Sequence, residues 1–182
     1  MLKALIISTA LIASAPFASA ASNDYASAEA LVSTAAVDIV QSENTGVADA
    51  VLSHIDTRAI ASFTLGRYGR TLAPAEKARF INAFEDYLRR QIEANAHQFA
   101  GIEVNVVDAQ ARNARDSIIT TEVRRDDGDL KVRWRVIERQ GKWSVVDLEV
   151  AGIWLAIEQR AQVAAILGRP GASIEDVIAQ LG

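Results

Sequence analysis

The hydrophobic pattern of this chain changes period twice, and those two changes bound what it can fold into. Up to Phe99 apolar residues recur at three and four; from Gly101 they alternate; after Gly152 the helical spacing returns. In the middle stretch Ile102, Val104 and Val106 alternate with Glu103 and Asn105, and Ile119, Thr121 and Val123 alternate with Thr120 and Glu122. Leu130, Val132, Trp134 and Val136 then alternate with Lys131, Arg133 and Arg135, and a fourth strand runs from Trp143 to Val150. Asp126-Asp127-Gly128-Asp129 and Arg139-Gln140-Gly141-Lys142 fall where hairpin turns are needed, since Gly and Asp accept the positive φ of tight connections. Four successive strands with short turns make an antiparallel meander with one apolar and one charged face. The flanking helices must cover the apolar face, so the fold class is α+β: N-terminal helices, a four-stranded antiparallel meander sheet and C-terminal helices.

The helical half begins at residues 24–43, where Tyr25, Ala28, Leu31, Val32, Ala35, Ala36, Ile39 and Val40 form one face before Asn44-Thr45-Gly46 stops the helix. A shorter helix, 48–53, precedes another that Asp56 caps, with Ile60, Phe63 and Leu65 facing inward; Gly66 and Gly69 interrupt the pattern around Arg67 and Tyr68. A long helix is predicted from Pro74 to Phe99, with Phe80, Phe84, Leu88 and Ile92 at intervals of four. Ala73 is a poor capping residue, so its first turn is expected to fray. After Gly152, Ile153, Trp154, Ile157, Ala161, Ala164 and Leu167 mark the inward side of a further helix, and Gly168-Arg169-Pro170-Gly171 separates it from a last one over 172–181, capped by Ser173.

The first 20 residues stand apart. Met1-Leu2-Lys3 is a short positive start, Ala4 to Ile12 an apolar run, and Ala18-Ser19-Ala20 a small-residue cleavage site: a signal peptide over 1–20, leaving one domain over 21–182. The run is too short to span roughly 30 Å of hydrocarbon, and no Cys follows it to carry a lipid anchor. The expected location is outside the cytoplasm, and with 0 Cys in the chain its stability rests on packing. A formal net charge of -4 excludes a strongly basic nucleic-acid binder. Charge is uneven: residues 21–57 carry Asp24, Glu29, Asp38, Glu43, Asp49 and Asp56 and no Lys or Arg. Residues 124–142 carry Arg124, Arg125, Lys131, Arg133, Arg135, Arg139 and Lys142 against four acids. That basic stretch reads as a solvated face or as a docking or headgroup-facing surface. No heptad or extra apolar helix face is evident, so the default is a monomer.

Catalytic chemistry has little to stand on. The two histidines, His54 and His97, lie near helix ends without metal-ligand spacing, and no nucleophile elbow or phosphate-binding glycine loop is present. No metal, cofactor or catalytic residue is therefore expected. Asp147, between Val146 and Leu148, is the one carboxylate whose setting suggests a raised pKa. Trp134, Trp143 and Trp154, with Phe63, Tyr68, Phe80 and Phe84, supply either an ordinary core or the walls of an internal apolar cavity. From pattern alone three readings stand: a carrier of an apolar ligand, an adaptor whose cavity its own side chains fill, and a ketosteroid-isomerase-like enzyme using Asp147 or His97 as base on a hydrophobic small molecule.

Several strings, taken in order, carry a resemblance. Phe63-Thr64-Leu65-Gly66-Arg67-Tyr68, the stretch Ala73-Pro74-Ala75-Glu76-Lys77-Ala78-Arg79-Phe80 with Phe84, the run Gly141-Lys142-Trp143-Ser144-Val145-Val146-Asp147-Leu148-Glu149-Val150-Ala151-Gly152, and Arg160-Ala161-Gln162 together resemble the MlaC family, also called Ttg2-type toluene-tolerance proteins. The likeness runs over about residues 30 to 181. It implies a periplasmic phospholipid-binding shuttle, without catalysis, holding lipid as cargo in an apolar pocket between sheet and helices. Its implied partners are an outer-membrane lipoprotein complex and an inner-membrane ABC transporter complex, and its implied role is maintenance of outer-membrane lipid asymmetry. The family's leucine-glycine-arginine-tyrosine string maps onto Leu65, Gly66, Arg67 and Tyr68, and its strand tryptophan and aspartate onto Trp143 and Asp147; its post-strand glycine and helix arginine map onto Gly152 and Arg160. Taken with helical and strand phase, the implied pocket is lined by Phe63, Leu65, Tyr68, Phe84, Leu88, Trp134, Val136, Val146, Leu148, Ile153, Trp154, Ile157 and Arg160. The chain departs from the family pattern in having Gly69 for a frequent Trp, Arg133-Trp134 for an Asp-Tyr pair, and Trp154 for a small Ser. The export reading predicts that intact-mass measurement of the protein from the cell envelope shows a chain beginning at Ala21; a retained Met1 contradicts it.

Overall fold

The computed structural model describes residues 21–42, 46–126 and 128–182, with side chains from Ala26 onward. The expected signal peptide and the Asn44-Thr45 helix stop lie outside the described residues. Helices α1 (Ala21–Gln41), α2 (Val47–His54), α3 (Thr57–Leu65) and α4 (Pro74–Ala94) come first, with 3-10 turns at Tyr68–Arg70 and Ala96–Phe99. Strands β1 (Glu103–Asn113), β2 (Asp116–Arg124), β3 (Leu130–Arg139), β4 (Lys142–Val150) and β5 (Ile153–Trp154) follow, then α5 (Leu155–Leu167) and α6 (Ile174–Leu181). The sheet is an antiparallel meander in the order β1-β2-β3-β4-β5.

The fifth strand is the departure from the expected four. Ala151 and Gly152 both take positive φ, 51° and 83°, which is the geometry of a two-residue hairpin, so the chain turns back onto β4 before any helix starts. Ile153 pairs with Val150 and Trp154 with Glu149, which removes both residues from the helix expected to contain them.

Register separates the faces as the alternation predicts. Trp134 lies opposite Ile119 and Leu148, and Val136 opposite Ser117 and Val145, so these residues share one face. Helix α1 packs there: Ala28, Val32 and Ile39 join Ile119, Val132, Trp134, Val136 and Val145 in one buried cluster. The Trp134 indole N–H is buried and donates to Thr121 Oγ1 at 2.8 Å, which satisfies the ring's polar edge. On the opposite face Arg133 pairs with Glu149 at 2.6 Å and Arg135 holds Asp116 through two contacts of 3.2 and 2.9 Å.

A second cluster is wholly helical: Ile60, Ala61 and Leu65 of α3, Phe80 and Phe84 of α4, Ala156, Val163 and Ile166 of α5, and Ile174, Val177 and Leu181 of α6. The Phe80 and Phe84 rings stand 5.9 Å apart, tilted and fully buried, each stabilising the cluster by about 1.5–3 kcal/mol. The long helix expected to reach Phe99 ends at Ala94, because the Asn95 side chain donates back to the Gln91 carbonyl at 2.8 Å and the chain tightens into a 3-10 turn. Its first turn is not left open despite Ala73: Glu76 reaches back to the Ala73 N–H at 2.6 Å. Helix α5 is rotated from the expected phase. Ala156, Val163 and Ile166 face inward, whereas Ile153 and Ile157, expected inside, are each 54% exposed.

Charge asymmetry along the chain is resolved by pairing across it. Asp38 meets His54 at 2.7 Å, Asp49 meets Arg89 at 2.6 Å, and Asp56 meets Arg139 at 2.9 Å. Together with Arg124 on Glu103, Arg133 on Glu149 and Arg135 on Asp116, this consumes much of the basic stretch that the sequence offers as a docking surface. One buried polar group is left over: Ser117 Oγ has no partner among the described residues. A buried unpaired hydroxyl costs about 1–3 kcal/mol, so Ser117→Ala is expected to stabilise the protein by about 1 kcal/mol in urea unfolding, and a loss of stability there contradicts the assignment.

Candidate functional site

The two clusters do not merge; they meet along β4. Ile55, between α2 and α3, packs against both. It is held there by a backbone bridge to Val145, with the Asp56 N–H donating to the Val145 carbonyl at 2.9 Å. Behind Ile55 lies a slot of about 80 Å³ whose walls are Ile60, Phe84, Leu88, Val145, Leu148, Leu155 and Ala156, with Asp147 and Gln159 as its polar members. Helix α4 brings Phe84 and Leu88 to it because they lie one turn apart on the same face. Strand β4 brings Val145 and Leu148 together through an irregular step: Arg135 pairs with Asp147 but Val136 with Val145, so Val146 is an extra residue at a bulge.

Asp147 is the chemically distinctive wall residue. It is 5% exposed, and its Oδ1 accepts from the N–H groups of Leu148 and Ala156, both at 2.8 Å. The cap position of α5 is Trp154, which has no side-chain oxygen, so Asp147 reaches across from β4 to satisfy the helix's second amide. Burial raises the pKa of this carboxyl above the ordinary range, opposed by the two backbone N–H groups and by Arg135. The sequence singles out this residue but not its task, because its helical partner lies nine residues on and appears only after β5 turns the chain.

The pocket-lining residues expected from phase are distributed over several places. Phe84, Leu88 and Leu148 line the slot. Leu65 lies in the helical cluster, Trp134 and Val136 in the sheet cluster, and Val146 is half-buried at the bulge. Ile153 and Ile157 are on the surface beside the exposed Leu155. Trp154 is half-buried under the Arg133 guanidinium, 5.4 Å from the ring centroid. Phe63 and Arg160 make a surface corner, with Arg160 stacked over Phe63 at 4.8 Å, while Tyr68 is half-buried and its hydroxyl accepts from Arg67 at 2.9 Å. Gly66 is required there, since its φ is +53° and a Cβ would come within 3.0 Å of Arg160 Nε. The slot residues that sequence reasoning did not assign to the pocket are Ile55, Ile60, Val145, Asp147, Leu155, Ala156 and Gln159; Ile55 carries no periodic signal because it falls between two helices. Among the described residues no group of three or more His, Cys, Asp and Glu side chains is assembled to hold a metal.

On the other side of Ile55 lies a wider, polar cleft of about 710 Å³, between the α2–α3 junction and the β3–β4 hairpin. Arg58, Arg139, Lys142 and Trp143 line it, as do His54, Asp56 and Glu85.

Fold and seam together define a class: an α+β protein with helices packed on the apolar face of an antiparallel sheet and an apolar slot where the two cores meet. A family model described as MlaC protein matches residues 29–182, and the chain belongs to the MlaC family. Among solved structures, the chain is similar to the phospholipid-binding protein from Ralstonia solanacearum determined in complex with a phospholipid. Identity is 16% and the TM-score 0.71, over 87% of this chain and 94% of that one, a likeness of fold. No curated protein sequence matches the chain.

Asp147 sets a pH signature. Its folded-state pKa is raised, so the folded protein holds the proton more tightly than the unfolded chain. Its contribution to stability is then fullest below the ordinary Asp value of about 3.9 and is lost as pH rises through the raised value. Asp147→Asn keeps an acceptor without a charge, so its urea midpoint should gain on wild type between about pH 4 and neutrality. Asp147→Ala should lose about 1–3 kcal/mol by stranding two amides. A pH-independent gap between wild type and the Asn variant contradicts the assignment.

Proposed function

We propose that this protein binds phospholipid with its acyl chains in the seam between the two cores, and carries it through the periplasm between an outer-membrane lipoprotein complex and an inner-membrane ABC transporter complex. The observation that carries the reading is the seam itself, an apolar slot in a chain of the MlaC family, where a structural relative is named for phospholipid binding. Among the described residues no helix is long and apolar enough to cross a membrane.

The slot's volume says how loading must proceed. About 80 Å³ is well below the roughly 300–1,000 Å³ of a small-molecule pocket. Acyl chains therefore enter only as the helical cluster parts from β4, which trades apolar contacts for lipid contacts and also strains the polar ties from Asp56 to Val145 and from Ala156 to Asp147. Two chains hold about 30 methylenes, and at about 0.8 kcal/mol each their exposure to water costs about 24 kcal/mol. Membrane and seam both remove that cost, so exchange between them is close to balanced. A shuttle needs that balance, because tight retention would prevent delivery.

The isomerase-like reading finds no support in the site. Asp147 lines the slot and caps α5, whereas His97 lines a separate surface cleft beside Gln98 and Gly101. Organic extraction of the purified protein followed by mass spectrometry should recover phospholipid near one molecule per chain. Leu88→Trp, which fills the slot, should lose most of it while keeping the wild-type circular dichroism. A wild-type protein recovered from cells without lipid, and unable to take it up from vesicles, overturns the proposal.

A further inference from the structure

The slot accounts for acyl chains and leaves the other half of a phospholipid without a place. Its only polar wall residues are Asp147, whose environment disfavours charge, and the neutral Gln159, so nothing in it attracts a phosphate. The polar cleft in front of Ile55 has the opposite character. It lies one residue away along two separate segments. Ser144 lines the cleft and Val145 the slot, and Ile55 lines both. Ile55 is therefore a partition, one aliphatic side chain thick, between an apolar space and a charged one.

The cleft's charges divide into those already used and those free to act. Arg139 is spent on Asp56, which also caps α3, and His54 is spent on Asp38. Glu85 stands four residues before Arg89 on α4 and contributes to the field at that guanidinium. Arg58 and Lys142 line the cleft without an ion pair among the described residues, one from the first turn of α3 and one from the start of β4. The indole of Trp143, half-buried, gives the cleft an apolar wall beside them. Arg58 and Lys142 outnumber Glu85, the one carboxylate lining the cleft without an ion pair among the described residues, and this cationic excess in a concave space of about 710 Å³, with an apolar slot directly behind, matches an amphiphile whose anion and hydrocarbon are joined.

We infer that this cleft is the headgroup chamber of the protein: the phosphate of a bound phospholipid sits between Arg58 and Lys142, and its chains pass beside Ile55 into the slot. The inference rests on the lipid-binding reading and adds to it where the headgroup lies and which charge it prefers. Headgroups with a net negative charge gain from the two cations more than zwitterionic ones do, so the site favours phosphatidylglycerol over phosphatidylethanolamine.

The test uses the full mature protein incubated with vesicles of equal phosphatidylglycerol and phosphatidylethanolamine, followed by native mass spectrometry of the bound lipid. Arg58→Glu with Lys142→Glu should lower the bound ratio of phosphatidylglycerol to phosphatidylethanolamine by about fivefold, the size expected of two solvent-accessible charge contacts. Both positions are on the surface, so folding is preserved. Arg70→Glu with Lys131→Glu, the same charge change at exposed positions away from the cleft, should leave the ratio at the wild-type value. An unchanged ratio in the first variant, or an equal fall in the second, overturns the headgroup assignment while leaving lipid binding intact. A wild-type protein that takes up neither lipid overturns the underlying reading as well. Glycerol phosphate alone, titrated by calorimetry, separates a free phosphate compound from a lipid. If it binds the cleft as tightly as lipid does and lipid fails to displace it, the lipid assignment falls.

Discussion

Asp56 is where the molecule is fastened. Its backbone N–H donates to the Val145 carbonyl, its Oδ1 accepts from the Ala59 N–H at the start of α3, and its Oδ2 takes Arg139 from the β3–β4 hairpin. One residue thus joins a helix start, a central strand and a hairpin, and it fixes Ile55 beside it as the contact common to both hydrophobic clusters. Without this junction α3 has no defined position on β4, and the helical cluster that depends on α3 has no defined position on the sheet.

The arrangement has a functional consequence that neither cluster has alone. A single fused core would resist opening everywhere, because parting it exposes apolar surface at about 25 cal/mol per Å². In the proposed function, two cores in contact along one strand part at the seam and remain packed within themselves. On that proposal, an acyl chain entering there replaces apolar contacts with apolar contacts, so the apolar part of the cost of opening is offset by the guest. Asp147 gives the seam a second tie, from β4 to the first turn of α5. That tie is polar, spans strand and helix, and places a carboxyl whose pKa burial raises on the wall of an apolar slot.

Much of the sheet was legible because alternation reports burial directly. Ile119, Thr121 and Val123 are all buried as their pattern requires, and so are Val132, Trp134 and Val136. Legibility failed at α5, where apolar side chains occur all round the helix and the pattern does not choose a face. Ile153 and Ile157 are larger than Ala156 and look like the better core residues, yet Ala156 is inside because its backbone N–H donates to Asp147 and so turns that side of the first turn toward β4. The family strings mark Phe63, Leu65, Tyr68 and Arg160, but a string records order along the chain and not the side on which a residue falls. Hence Phe63 and Arg160 form a surface corner, Tyr68 is half-buried beside Arg67, and Leu65 lies in the helical core.

By itself the sequence determined the element types, the meander, the apolar face of the sheet, the family and the absence of cysteine, since each depends on interactions between near neighbours or on residue identity. Tertiary structure alone decided the division into two cores, the seam between them, the partition at Ile55 and the use of Asp147 as a cap. It also decided that the basic stretch is largely neutralised by acids distant in sequence, among them Asp56 and Asp116, leaving Arg58 and Lys142 as the cations that line the cleft without a carboxylate partner among the described residues. The reason is physical. Periodicity measures which residues leave water, whereas pairing and void space depend on which buried surfaces come together, and no local pattern carries that information.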